Sequence, residues 1–124
     1  MRKFTILIAD NNHLSRKTME ESLQMSFPAV AIEELAHGGW VFRRVDAFHP
    51  DLIFMDIKLP GENGLELGKK IKAAQSNIAI SILTNYNIPE YREAAFRYGA
   101  HRFLAKASLN RRELEELVKS YQKV

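Results

Sequence analysis

Two aspartates, a threonine and a lysine each close a separate apolar run in this sequence. Asp10 follows Ile6-Leu7-Ile8-Ala9, and Asp56 follows Leu52-Ile53-Phe54-Met55. Thr84 follows Ile82-Leu83, and Lys106 follows Phe103-Leu104-Ala105. Short apolar runs of this kind read as buried strands, so each polar group stands at a strand's C-terminal end. Two carboxylates at one edge can share a hard divalent cation, which prefers oxygen ligands. The backbone carbonyl of Lys58, in the loop after Asp56, can add another oxygen. Lys106 is a point charge suited to a phosphoryl oxygen, and Thr84 offers a hydroxyl. Together they fit phosphoryl transfer onto a carboxylate. Asp56 is the nucleophile of that reading, with magnesium and Lys106 neutralising charge on the transferring group.

The four groups meet only if their strands lie parallel in one sheet. Strands are expected over 3–9, 29–35, 51–56, 78–84 and 101–106. The third is apolar on both faces, as in a parallel sheet covered on both sides. Helices fill the intervals. The first spans 13–26, anchored by Leu14, Met19, Leu23 and Phe27 and stopped by Pro28. Gly38-Gly39 opens the second, where Val41, Phe42, Val45 and Phe48 form a buried stripe. The third runs from about Gly64 to Ala74, with Leu67, Ile71 and Ala74 on one face. Asn87 and Glu90 have the spacing of a capping box for the fourth, and Gly99 closes it. Asn110 with Glu113 starts the last, carried by Leu114, Leu117, Val118 and Tyr121. Alternation of five strands with five helices predicts an α/β fold. Its form is a five-stranded parallel doubly wound sheet, a flavodoxin-like three-layer sandwich with right-handed crossovers.

Composition narrows the partners. The chain has 124 residues, 46% hydrophobic and 27% charged, which suits one domain over 1–124. It has no cysteine, so disulfides and thiolate metal sites are excluded. No apolar run is long enough to span a membrane, and the N-terminus lacks a signal-peptide cleavage pattern; a cytoplasmic protein is expected. Net charge is +3, but Glu113, Glu115 and Glu116 interleave with Arg111 and Arg112. A solvated mixed surface is expected rather than a nucleic-acid face. His13, His37, His49 and His101 have no metal-ligand spacing.

The strand ends, with Leu59-Pro60-Gly61-Glu62-Asn63-Gly64 and Gly99-Ala100-His101-Arg102-Phe103-Leu104-Ala105-Lys106, carry a resemblance. Essentially the whole chain resembles the receiver domain of two-component response regulators. The Lys106-Ala107-Ser108 ending is similar to receivers that precede a helix-turn-helix output. The resemblance implies that Asp56 accepts a phosphoryl group from a sensor histidine kinase or a phosphotransfer protein. Asp10, Asn11, Asp56 and the Lys58 carbonyl then hold Mg2+, and Thr84 and Phe103 are the switch pair. The face made by the fourth helix, fifth strand and fifth helix is remodelled for a downstream effector, an output domain or a second copy. Lys58, Asn85 and Tyr86 tune phosphoryl lifetime, with Tyr86 shielding Asp56. No membrane or direct nucleic-acid contact is implied, and no catalysis beyond the domain's own phosphorylation and dephosphorylation.

Two residues depart from the family's pattern. Asn11 stands where a second acid is usual, which predicts weaker magnesium binding. Asn85 stands where a small residue usually follows the threonine. Both favour an alternative, a pseudo-receiver that docks a partner without phosphorylation. An enzyme on a similar sheet fits less well. A haloacid-dehalogenase-like phosphatase needs an acid where Lys58 stands, and a dinucleotide-binding Gly-x-Gly-x-x-Gly is absent.

Overall fold

A computed structural model describes residues 3–122. Met1, Arg2, Lys123 and Val124, and with them the ends of the expected 1–124 domain, lie outside the described residues. The order is β1 (Thr5–Ala9), α1 (His13–Ser26), β2 (Ala31–Leu35), α2 (Val41–Phe48), β3 (Leu52–Asp56), α3 (Gly64–Ala74), β4 (Ala79–Thr84), α4 (Pro89–Arg97), β5 (Arg102–Ala105) and α5 (Arg111–Gln122). The strands form one sheet in the order β2-β1-β3-β4-β5, every pair parallel. This is the expected doubly wound α/β fold. Strand order reverses between β1 and β3, so Asp10 and Asp56 flank the topological switch point.

The apolar strands have a core on each face. Val41, Val45, Leu67, Ile71 and Ala95 bring α2, α3 and α4 onto one side. Met19, Leu23, Leu114, Leu117 and Val118 bring α1 and α5 onto the other. The central strands β3 and β4 are buried throughout. The outer strand β2 is only half-buried and carries Glu33 and Glu34. Arg44 pairs with Glu33, and Arg16 and Lys17 pair with Glu34. These charges protect an edge that would otherwise be open to further strand pairing.

Several expectations need correction. The capping box at Asn87 and Glu90 does not form: α4 starts at Pro89, its N-cap is Ile88, and no side chain caps it. Pro89 decides this start, because its fixed φ and missing N–H suit the first helical position. Leu14 is 74% exposed and Phe42 39% exposed, so neither is a core anchor. Phe48 is half-buried and Ala74 exposed. The second strand begins at Ala31 rather than residue 29, and a 3-10 turn over Gly38–Trp40 precedes α2. By contrast, Asn110 Oδ1 accepts from the Glu113 N–H at 2.9 Å, and its amide donates to the Glu113 carboxylate at 2.7 Å. Gly99, at φ 108°, ends α4 in the left-handed region that glycine favours.

Candidate functional site

Asp10 and Asp56 end up almost fully buried, at 1% and 7% exposed. Buried carboxylates need partners, and Lys106 supplies both. Its Nζ lies 2.8 Å from Asp10 Oδ2 and 2.7 Å from Asp56 Oδ2. The Lys106 backbone N–H donates to the Thr84 carbonyl at 2.9 Å, which fixes where the side chain starts. Burial alone would lower the pKa of this ammonium. Hydrogen bonds and charge from Asp10 and Asp56 outweigh that and hold it above the usual lysine value.

The loop after each strand adds its own contacts. The Asn12 N–H donates to Asp10 Oδ1 at 2.9 Å, and Asn12 caps α1 by accepting from the Ser15 N–H at 2.8 Å. The Lys58 N–H donates to Asp56 Oδ1 at 3.2 Å. The Gly64 N–H donates to the Ile57 carbonyl at 2.8 Å, and a Cβ at Gly64 would lie 2.1 Å from the Asp56 carbonyl oxygen. Only glycine lets α3 start so close to Asp56. Thr84 is fully buried, and its Oγ1 accepts from the Tyr86 N–H at 2.8 Å.

The structure thus brings Asp10, Asp56 and Lys106 into direct contact, with Thr84 at the next strand end. Asn11, Lys58, Asn85 and Tyr86 are exposed around them. Asn85 and Lys106 line a cavity of about 510 Å³ between α1 and the start of α5, together with Asn12 and Ser15. Phe103 is 7% exposed, within the core on the α2–α4 side, and the Arg92 guanidinium lies 5.8 Å from its ring centre.

Two contacts were missed from sequence. The Ser15 hydroxyl donates to Asp10 Oδ2 at 2.8 Å, and Arg16 Nη1 donates to the Asp10 carbonyl at 2.6 Å. Both residues sit in the first turn of α1. The available signal was the Asn12 cap, because that turn then lies against the end of β1.

Among the described residues, no group of three or more His, Asp and Glu side chains gathers as a metal site. The oxygen donors that meet here are the Asp10 and Asp56 carboxylates; the Asn11 amide and the Lys58 carbonyl are the further oxygens a cation would draw on. An all-oxygen set of this kind suits a hard cation such as Mg2+, with one acid fewer than a three-acid site. No helix among the described residues is long and apolar enough to cross a membrane.

The chain matches the family model of the response regulator receiver domain over residues 6–119 and belongs to that family. It is 29% identical over 119 residues to the sensory transduction protein LytT of Bacillus subtilis, covering 96% of this chain and 48% of LytT. It is 31% identical over 117 residues to YhcZ, an uncharacterized transcriptional regulatory protein of the same organism, covering 94% of this chain and 53% of YhcZ. A solved CheY-like receiver domain from Methanospirillum hungatei superposes with a TM-score of 0.88 at 25% identity, over 96% of this chain and 93% of that one. The chain spans about half the length of the two curated relatives.

Proposed function

We propose that this receiver domain takes a phosphoryl group on Asp56 from a sensor histidine kinase or a phosphotransfer protein. The observation that carries the reading is the Lys106 ammonium bridging Asp10 and Asp56 at the switch point of the sheet. Asp56 Oδ2 is engaged by Lys106, while among the described residues Oδ1 accepts only the longer bond from Lys58 N–H. Oδ1 is therefore the freer nucleophile. Its bond to phosphorus forms as the donor's phosphorus–nitrogen bond breaks, and Lys106 balances the charge. Water later returns the carboxylate and releases inorganic phosphate.

Mg2+ held by Asp10, Asn11, Asp56 and the Lys58 carbonyl would supply further charge neutralisation, with weaker affinity because Asn11 is neutral. Thr84 is the switch hydroxyl. Turning it toward a phosphoryl group exchanges its bond with the Tyr86 N–H for a charge-assisted one. Lys58, Asn85 and Tyr86 border the site and set water access. The domain acts in the cytoplasm on its own acyl phosphate alone. It signals through the α4–β5–α5 face to an effector, an output domain or a second copy, without itself contacting nucleic acid.

One observation favours the alternative of a phosphorylation-independent binding module. Asn11 and Asn85 stand where the family usually has a second acid and a small residue, and both are exposed beside the buried Asp10–Asp56–Lys106 contact. Intact mass after incubation with acetyl phosphate and magnesium separates the two readings, with Asp56→Asn as control. One phosphoryl group, absent from the control, is the expected result. No addition to the folded protein over a wide range of magnesium would establish the binding-module reading.

A further inference from the structure

Lys58 and Tyr86 are each tied to a site residue through the backbone. The Lys58 N–H donates to Asp56 Oδ1 at 3.2 Å, and the Tyr86 N–H donates to Thr84 Oγ1 at 2.8 Å. Their side chains then meet over the gap between the two loops, with Lys58 Nζ 5.3 Å from the centre of the Tyr86 ring. A second ring closes the arrangement. Lys58 Nζ also lies 6.0 Å from the centre of Tyr91, in the first turn of α4. Both distances are within reach of a cation–aromatic attraction.

The two rings differ in what holds them. Tyr86 is 52% exposed, so its ring is only loosely held. Tyr91 is half-buried and packs against the core on the α2–α4 side. A flexible ammonium between a loose ring and an anchored one takes its position from the anchored one. Among the described residues, no carboxylate forms an ion pair with Lys58.

We infer that Tyr91 is a positioning residue for the site. Its core-anchored ring holds the Lys58 ammonium against Tyr86 and so clasps the loop after Asp56 to the loop after Thr84. The consequence for phosphoryl lifetime rests on the reading of Asp56 as phosphoacceptor; the clasp itself does not. With the clasp closed, Tyr86 is held beside Asp56 and limits the approach of water. Opening it speeds loss of the phosphoryl group about threefold, the size one exposed cation–aromatic contact commands.

The test compares the wild-type chain with Tyr91→Phe, Tyr91→Leu and Lys58→Gln. The glutamine variant leaves core packing untouched, so it reports even if the leucine variant folds poorly. In the unmodified protein, the Lys58 ε-methylene protons are expected upfield of a free lysine, because they lie over aromatic faces. Tyr91→Phe should keep that shift and Tyr91→Leu should lose most of it. An unshifted Lys58 in the wild type, or one indifferent to Tyr91→Leu, overturns the clasp. After loading with acetyl phosphate, Tyr91→Leu and Lys58→Gln should lose phosphoryl about threefold faster than wild type and Tyr91→Phe. Equal lifetimes in all four overturn the positioning role. Absence of loading in every protein, with the Lys58 shifts as expected, overturns the phosphoacceptor reading and leaves the clasp standing.

Discussion

Lys106 and Asp56, fifty residues apart in sequence, meet with Nζ 2.7 Å from Oδ2. The same ammonium reaches Asp10, so removing it strands two buried carboxylates at once. Lys106→Met is expected to cost about 2 kcal/mol at pH 7, below the range for a fully buried pair because the ammonium is slightly exposed. Urea melts measure it, and a cost near zero would mean that water replaces the ammonium freely. The pKa of Lys106 is raised in the fold, so its contribution is complete below the unfolded lysine value. It is lost as pH rises through the folded one. Wild type should therefore lose stability above about pH 10.5 more steeply than Lys106→Met.

On the proposed reading, the neutral Asn11 lowers the charge that the site offers a divalent cation. Opposite charges at ~4 Å interact by about 4 kcal/mol at an effective dielectric near 20, and easier desolvation of an amide cancels most of that. Asn11→Asp is expected to bind Mg2+ about tenfold more tightly, equivalent to about 1.4 kcal/mol. Calorimetric titration with magnesium chloride reads this directly. Equal affinities for the two proteins would remove Asn11 from the metal site.

The strand ends were legible because each is marked twice, by an apolar run and by the polar or breaking residues after it. That was enough to bring Asp10, Asp56, Thr84 and Lys106 to one edge. Helix faces were less legible. Phe42 follows Val41 directly, so one of the two must turn away from the core, and periodicity favoured both. Asn87 matched a capping pattern, but Pro89 two residues later fixed the start of α4. Ser15 and Arg16 were signalled only indirectly, by the Asn12 cap that sets the first turn of α1 against the end of β1, and the contact of Tyr91 with Lys58 not at all, because it depends on side-chain directions across loops. Sequence spacing does not encode those directions.

Ser81 lies at the centre of β4, fully buried, and its hydroxyl has no hydrogen-bond partner among the described residues. Its sheet neighbours are Phe54 and Arg102. An unpaired buried hydroxyl is a desolvation cost with nothing returned. Ser81→Ala is therefore expected to stabilise the fold by about 1 kcal/mol. The urea midpoint should rise with an unchanged slope; a lower midpoint would mean that the hydroxyl is satisfied in solution.

His101 gives the fold an acid-sensitive point far from the phosphoryl site. Its ring nitrogen Nδ1 accepts from the Ile80 N–H at 3.2 Å, which requires that nitrogen to be unprotonated. Burial first, then the charges of Lys72 and Arg102, push its pKa below the usual histidine value. Tyr121 meets the ring edge-on at 6.1 Å and adds no charge. The unfolded chain therefore binds a proton more readily than the folded one. Stability from this group is complete above the unfolded histidine value of about 6.5 and is lost as pH falls below it. Thermal midpoints should decline between about pH 7 and pH 5, and His101→Gln should flatten part of that decline. The glutamine amide stays neutral across the window. An identical decline in the variant would assign the acid sensitivity to other groups.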